Sequence, residues 1–216
     1  MYAATATRPD ISFAVGVLSK VCTKPTTAHL TAAKRVLRYL KGTLNLALKY
    51  EKSVDSCLTG YSDADWAGDP DDRHSTSGYL FVMSGATISW SSRKQPTVSL
   101  STAEAEYVAL NAATQEAVWL QRLLEDLNDK LYKPTLIMGD NQGAIAIARN
   151  PVFHARTKHI EIHHHFIREA LHNRIIDLQY CPTNEMIADV LTKALSRNRF
   201  EQFRHLMGMD FIPTVN

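Results

Sequence analysis

Ser99-Leu-Ser-Thr-Ala-Glu104-Ala-Glu106-Tyr-Val-Ala-Leu110 opens the longest helical pattern in the chain. Its apolar stripe, Ala103, Leu110, Ala113, Ala117, Leu120 and Leu124, recurs at helical spacing and predicts a helix running to about Asn128. Glu106 falls on that stripe, between Ala103 and Leu110. A carboxylate on a buried face is costly unless it is paired or holds a cation. Two readings follow. Glu106 ends the stripe near solvent, or it is a metal-binding carboxylate on which other acids converge. Glu104 lies about 200° away around the helix and needs neither explanation.

Outward from that helix, strands and helices alternate. Upstream, 58–63 reads as a strand, 64–77 as a polar, acidic loop, and 78–83 and 86–90 as strands joined by the hairpin signal Ser84-Gly85. Downstream, 134–140 is a strand, 142–149 a short helix stopped by Asn150-Pro151, and 157–172 a helical segment. A last strand covers 175–180, a helix opens at Thr183 and runs to Ala194, and a further short helix covers 199–207. A hairpin followed by alternating strands and helices predicts an α/β sandwich on a mixed sheet. Active sites in such sheets gather at the carboxyl ends of strands. Before this series come two helices, 9–21 and 26–40, and a short strand at 44–50. The polar stretch 51–56 marks the boundary, giving a helical segment 1–52, a domain 53–207 and a tail 208–216.

The net charge of +2 is too weak to assert a polyanion partner by itself. A basic face on the second helix, Lys34, Arg38 and Lys41, reads first as a solvated surface. The three cysteines, Cys22, Cys57 and Cys181, are scattered and form no C-x-x-C. Neither a disulfide framework nor a cysteine zinc site is expected, and a reducing, intracellular setting fits. The first ten residues hold no apolar signal core. No apolar run approaches the ~18–20 residues that span a bilayer.

Four acids stand out by position. Asp63 ends the first strand of the 53–207 unit and Asp140 ends the otherwise uncharged strand at 134–140. Glu106 lies early on the inner face of the long helix, and Asp189 inside the helix that opens at Thr183. Each alone suits a turn or a cap. Together they resemble a site for a hard cation such as Mg2+, which takes oxygen ligands and keeps several waters. Two such ions, roughly 3.5–4 Å apart, can serve phosphodiester cleavage.

Tyr61-Ser-Asp-Ala-Asp-Trp-Ala-Gly-Asp69, with Ser75-Thr-Ser-Gly-Tyr79, resembles the start of the ribonuclease H domain in the Pol polyprotein of Ty1/copia-type LTR retrotransposons. Further resemblance runs through Trp90-Ser-Ser-Arg-Lys-Gln95, Ser101 to Leu110, Gly139-Asp-Asn-Gln-Gly-Ala144, Thr157-Lys-His-Ile160, His165-Phe-Ile-Arg-Glu169 and Pro182 to Lys193. Arg8-Pro-Asp-Ile11 and the stretch from His29 to Thr43 resemble the segment between polymerase and ribonuclease H.

The resemblance implies a ribonuclease H fold: a five-stranded mixed sheet with helices on both faces. It implies cleavage of RNA in an RNA–DNA hybrid with two divalent ions, Mg2+ or alternatively Mn2+. It implies Asp63, Glu106, Asp140 and Asp189 as catalytic, ion-holding residues, and selects Asp63 over Asp65. Asp63 would bridge both ions, Glu106 and Asp140 would hold one, and Asp189 the other. Hybrid selection would rest on 2′-hydroxyls and groove shape. Arg93, Lys94, Gln95, Asn141 and Gln142 lie near these elements, either touching sugar and phosphate or forming ordinary surface. Expected partners are the hybrid and other parts of the polyprotein, in cytoplasm or nucleus, with no membrane. The alternative is a non-catalytic or repurposed fragment that binds nucleic acid or a protein.

One departure concerns proton delivery. Many cellular ribonucleases H carry a histidine in the loop before the last Asp, and 181–185 has none. His159, His163, His164 and His165 form a cluster elsewhere, but without H-E-x-x-H or a cysteine pair zinc is not expected.

Overall fold

The computed structural model describes residues 1–52, 57–127, 133–150 and 161–212, with side chains of the last span described from 166 onward. The chain begins with α1 (Tyr2–Ala6), a 3₁₀ turn (Pro9–Ile11), α2 (Ser12–Lys20), α3 (Thr27–Gly42) and β1 (Leu46–Leu48). There follow β2 (Thr59–Asp65), β3 (Thr76–Met83), β4 (Ala86–Lys94), α4 (Thr102–Asp126), β5 (Thr135–Gly139), α5 (Gln142–Arg149), α6 (Glu161–His172) and β6 (Ile176–Tyr180). A 3₁₀ turn (Ile187–Leu191), α7 (Arg197–Leu206) and β7 (Met209–Phe211) complete the described chain.

Five strands form one mixed sheet in the order β4-β3-β2-β5-β6. β2, β3 and β4 are antiparallel neighbours, whereas β5 runs parallel to β2 and β6 parallel to β5. This is the five-stranded mixed sheet that the resemblance implies. The β3–β4 hairpin turns at Ser84 and Gly85, whose φ values are 54° and 85°. Positive φ at both positions matches strand twist, which is why a small residue and a glycine stand there.

Side chains alternate into two apolar layers. Phe81, Ile137, Ile176 and Leu178 point toward α4, α5 and α6, where they meet Tyr107, Leu110, Ala113, Ala117, Leu120 and Ile167. Leu80 points the other way, to Ile187, Val190, Leu191, Phe203 and Met207. Leu80 and Phe81 are both fully buried. Each such side chain contributes about 1.5–3 kcal/mol of transfer free energy.

The N-terminal segment packs against β4. Trp90 Nε1 donates to the Ala4 carbonyl at 2.7 Å and to Ser12 Oγ at 3.1 Å. Within the segment, Arg8 and Asp10 form a buried pair, Nε–Oδ1 2.9 Å and Nη2–Oδ2 2.8 Å, and Tyr39 OH donates to Asp10 Oδ2 at 2.6 Å.

Three local expectations change. Residues 183–194, expected as a helix, instead form a turn and the 3₁₀ turn Ile187–Leu191. All five residues of that turn are buried, and a segment apolar on every side has no polar face to offer solvent as a surface helix would. Residues 209–211, expected as tail, form β7 and pair antiparallel with β1, Leu46 opposite Phe211 and Leu48 opposite Met209. β4 extends to Lys94, further than 86–90. Of the expected boundary at 51–56, residues 53–56 lie outside the described residues, as does His159; the side chains of His163, His164 and His165 do too.

Candidate metal centre

Asp63 and Asp140 are brought together by parallel pairing. Ser62 on β2 lies opposite Gly139 on β5, the last residue of that strand, so Asp63, still within β2, and Asp140, just past the end of β5, follow side by side. Glu106 arrives from the other direction, on the second turn of α4. The start of that helix is fixed by two hydrogen bonds. Ser101 Oγ accepts from Glu104 N at 3.2 Å, and Glu104 Oε2 accepts from Leu100 N at 3.0 Å. Glu104 is therefore buried and structural, which corrects the expectation that it needs no account. The signal was present as Ser101-x-x-Glu104, the pattern of a capping box, although Glu104 reaches the N–H of Leu100 instead of that of Ser101 itself. Below Glu106, Ala105 and Ala109 pack on Ala64. Small residues there let the helix approach β2 closely.

Asp63, Glu106 and Asp140 offer carboxylate oxygens that all lie within 4.8 Å of one another. Asp63 is 1% exposed, and its Oδ1 accepts no hydrogen bond among the described residues. Burial, then the charges of Asp63 and Asp140, pushes the Glu106 carboxyl up to about 9. Burial also pushes Asp63 up, against the pull of Lys193. An all-oxygen donor set, one orphaned buried oxygen and carboxyls held above their usual range fit a hard divalent cation, whose charge would relieve all three.

Asp189 comes from the 3₁₀ turn on the opposite side of Asp63. What lets that turn approach is Gly78, the residue opposite Asp63 on β3. A Cβ on Gly78 would lie 2.7 Å from Thr192 Cγ2 and 2.8 Å from Leu191 Cβ. With no side chain in the way, Thr192 Oγ1 reaches Asp63 Oδ2 and donates a hydrogen bond. Asp189 is fully buried and faces two cations: Lys193 Nζ lies 2.9 Å from its Oδ1, and Arg199 Nη2 lies 2.7 Å from its Oδ2. Lys193 Nζ is also 3.5 Å from Asp63 Oδ2. Burial lowers the Lys193 ammonium, but Asp63 and Asp189 outweigh it and hold its pKa above the ordinary value.

The other expected residues divide. Asn141 caps α5, its Oδ1 accepting from Ala144 N at 3.0 Å, and Gln142 is exposed beside it. Arg93 is exposed on β4. Lys94 is tied down by Asp72 and by Asp69, the latter at 3.1 Å. Gln95 faces inward: Nε2 donates to Ser77 Oγ and the Ala105 carbonyl, both at 2.8 Å, and Oε1 accepts from Ser99 Oγ at 2.9 Å. Its place is structural, locking β4 to α4, so it departs from the expected contact with sugar or phosphate. Sequence reading missed Thr192, Lys193 and Arg199. Only Lys193 carried a signal, at four residues from Asp189.

No family model matches the chain. It is 46% identical, over 97% of its length, to the retrovirus-related Pol polyprotein from transposon TNT 1-94 of Nicotiana tabacum, and spans 16% of that polyprotein. It is also 55% identical, over 56% of its length, to the secreted RxLR effector protein 161 of Plasmopara viticola, covering 84% of that protein. Among solved structures, LC11-RNase H1 isolated from compost superposes with a TM-score of 0.49 at 18% identity, covering 68% of this chain and 97% of that one. By sequence, nearly the whole chain is homologous to one segment of the retrovirus-related Pol polyproteins from transposons, of which it spans 14–16%.

Proposed function

We propose that this segment is a metal-dependent ribonuclease H, hydrolysing the RNA strand of RNA–DNA hybrids. The observation that carries the reading is the convergence of Asp63, Glu106 and Asp140, with Asp189 on the far side of Asp63. Asp63, Glu106 and Asp140 would hold one ion, and Asp63 with Asp189 the other. When bound, two divalent ions supply an activated water and neutralise charge on the leaving 3′-oxygen. The residues do the rest. Thr192 fixes Asp63 through Oδ2, and Thr183 Oγ1 fixes Asp140 through Oδ2 at 2.9 Å. Glu106, its carboxyl raised by burial and by its acidic neighbours, would release its proton on holding a cation. Arg93, Asn141 and Gln142 remain as contacts to sugar and phosphate. Recognition would rest on 2′-hydroxyls and groove shape. No side chain is assigned to protonate the leaving oxygen.

The test is cleavage of a labelled RNA strand annealed to DNA, in Mg2+. The expected result is cutting of the hybrid and not of the same RNA alone. Asp140→Asn should lower the rate by a factor of about 100 or more with the melting temperature retained. A folded wild-type chain that leaves the hybrid intact overturns the reading.

The similarity to an effector protein favours one second reading, a repurposed fragment that binds nucleic acid or a protein without cutting. It predicts hybrid binding without cleavage. Other parts of the Pol polyprotein are the proposed protein partners, within the cytoplasm or nucleus. Among the described residues, no helix is long and apolar enough to cross a membrane.

A further inference from the structure

Helix α7 sends one side chain into the carboxylate cluster. Arg199 Nη2 donates to Asp189 Oδ2 at 2.7 Å and also to the Thr183 carbonyl. Thr183, through its hydroxyl, holds Asp140. One guanidinium thus ties together two carboxylates that arrive on different elements, the end of β5 and the 3₁₀ turn. Its direction is set by packing, because it lies over the ring of buried Phe203 at 5.1 Å.

The same helix is gripped by the N-terminal segment. Arg204 Nη1 donates to Tyr39 OH at 3.1 Å, and Tyr39 OH donates to Asp10. Phe200 meets the Tyr39 ring edge-on, with centroids 5.9 Å apart. Arg204 also lies over Phe211 of β7, which is paired with β1. A continuous set of contacts therefore runs from Asp10 through Tyr39 and α7 to Asp189.

We propose that Arg199 is a positioning residue for the second ion-holding carboxylate, and that the N-terminal segment sets its place through α7. The proposal rests on the ribonuclease H reading of the site. Asp189 sits on a single 3₁₀ turn, so its carboxyl plane is not fixed by a long helix. With Oδ2 held by Arg199, Oδ1 is aimed toward Asp63, the direction marked by Lys193 Nζ between them. Without the guanidinium that plane is held only from the other oxygen, by Lys193. Losing an outer partner of an ion ligand weakens metal affinity by about 10–100-fold.

The experiment is a calorimetric Mn2+ titration of the whole chain as wild type, Asp189→Asn, Arg199→Ala, Arg199→Lys and Tyr39→Phe. Asp189→Asn defines the weaker binding phase by removing it. Arg199→Ala should weaken that phase about 10–100-fold and spare the tighter one. Arg199→Lys should recover part of the loss, since an ammonium keeps the charge but lacks the planar fork. Tyr39→Phe should act in the same direction with a smaller loss and a cooperative melt. In the cleavage assay, Arg199→Ala should raise the Mn2+ concentration for half-maximal rate and leave the KM for hybrid unchanged. An unchanged or tightened weaker phase in Arg199→Ala overturns the proposal, as does a wild type with no phase that depends on Asp189. Two intact phases in a wild type that cuts no hybrid overturn the ribonuclease reading alone and leave the positioning role standing.

Discussion

The two sides of Asp63 deliver their carboxylates by opposite means. On the α4 side, Glu106 rides on a helix of 25 residues, capped at Ser101 and anchored by a wide apolar stripe. No described ion pair reaches it, and its carboxyl is pushed up to about 9 by burial and by its acidic neighbours. On the α7 side, Asp189 rides on a turn of five residues and is matched by Lys193 and Arg199. One side holds its acid by packing and leaves the charge unbalanced; the other supplies the balancing charge from the chain itself. A cation therefore has most to relieve on the α4 side, which accords with the tighter binding phase being assigned there.

The comparison breaks most sharply at Glu106. Glu106→Gln should reduce hybrid cleavage by a factor of about 100 or more. Without metal it should stabilise the fold, and the sign follows from linkage. The native carboxyl, raised from 4.5 to about 9, keeps a proton that the unfolded chain releases. The Glu106 contribution to the stability of the metal-free wild type is therefore full below about pH 4.5 and declines as pH rises toward 9. Denaturant melts across that range should show the decline in the wild type and a shallower slope in Glu106→Gln. Added Mg2+ should flatten the wild-type slope. A slope identical in both proteins would remove Glu106 as its source.

A change on the other side tests whether approach of the 3₁₀ turn matters. Gly78→Ala places a Cβ against Thr192 and Leu191, and overpacking of this kind costs about 1–3 kcal/mol. The melting temperature should fall, and the Mn2+ phase assigned to Asp189 should weaken more than the other. Equal weakening of both phases would show that the turn and the sheet move as one body. The smallest effect is expected at Ser101→Ala, which removes the cap of α4 and should cost about 1 kcal/mol of stability, with hybrid cleavage reduced less than in Glu106→Gln.

What the sequence made legible follows the same division. The α4 stripe, the Ser84-Gly85 hairpin and Asp140 at the end of β5 are local patterns with a period or a turn residue behind them, whereas Asp63, expected at a strand end, lies within β2, which runs on to Asp65. Glu104 was legible through Ser101-x-x-Glu104, though its burial comes only from the fold. The α7 side was not. Residues 187–191 are buried on all sides and so carry no helical period, and a three-residue strand such as β7 is too short to show alternation. Arg199 is ten residues from Asp189, and nothing local links them; α7 folds back to join them. Gln95 looked like surface because its polar partners, Ser77, Ser99 and the Ala105 carbonyl, converge only in three dimensions.

The β1–β7 ribbon has a use of its own. Two strands of three residues are marginal alone in water, so the ribbon persists only while its apolar residues, Leu46 and Met209, stay docked. Two amides that flank it are individually placed: Lys49 N donates to the Gly208 carbonyl at 2.9 Å, and Ile212 N to the Asn45 carbonyl at 2.7 Å. Their protection against hydrogen exchange measures the free energy of local opening at this seam. They are a built-in gauge of how firmly the N-terminal segment is seated, readable without any substrate.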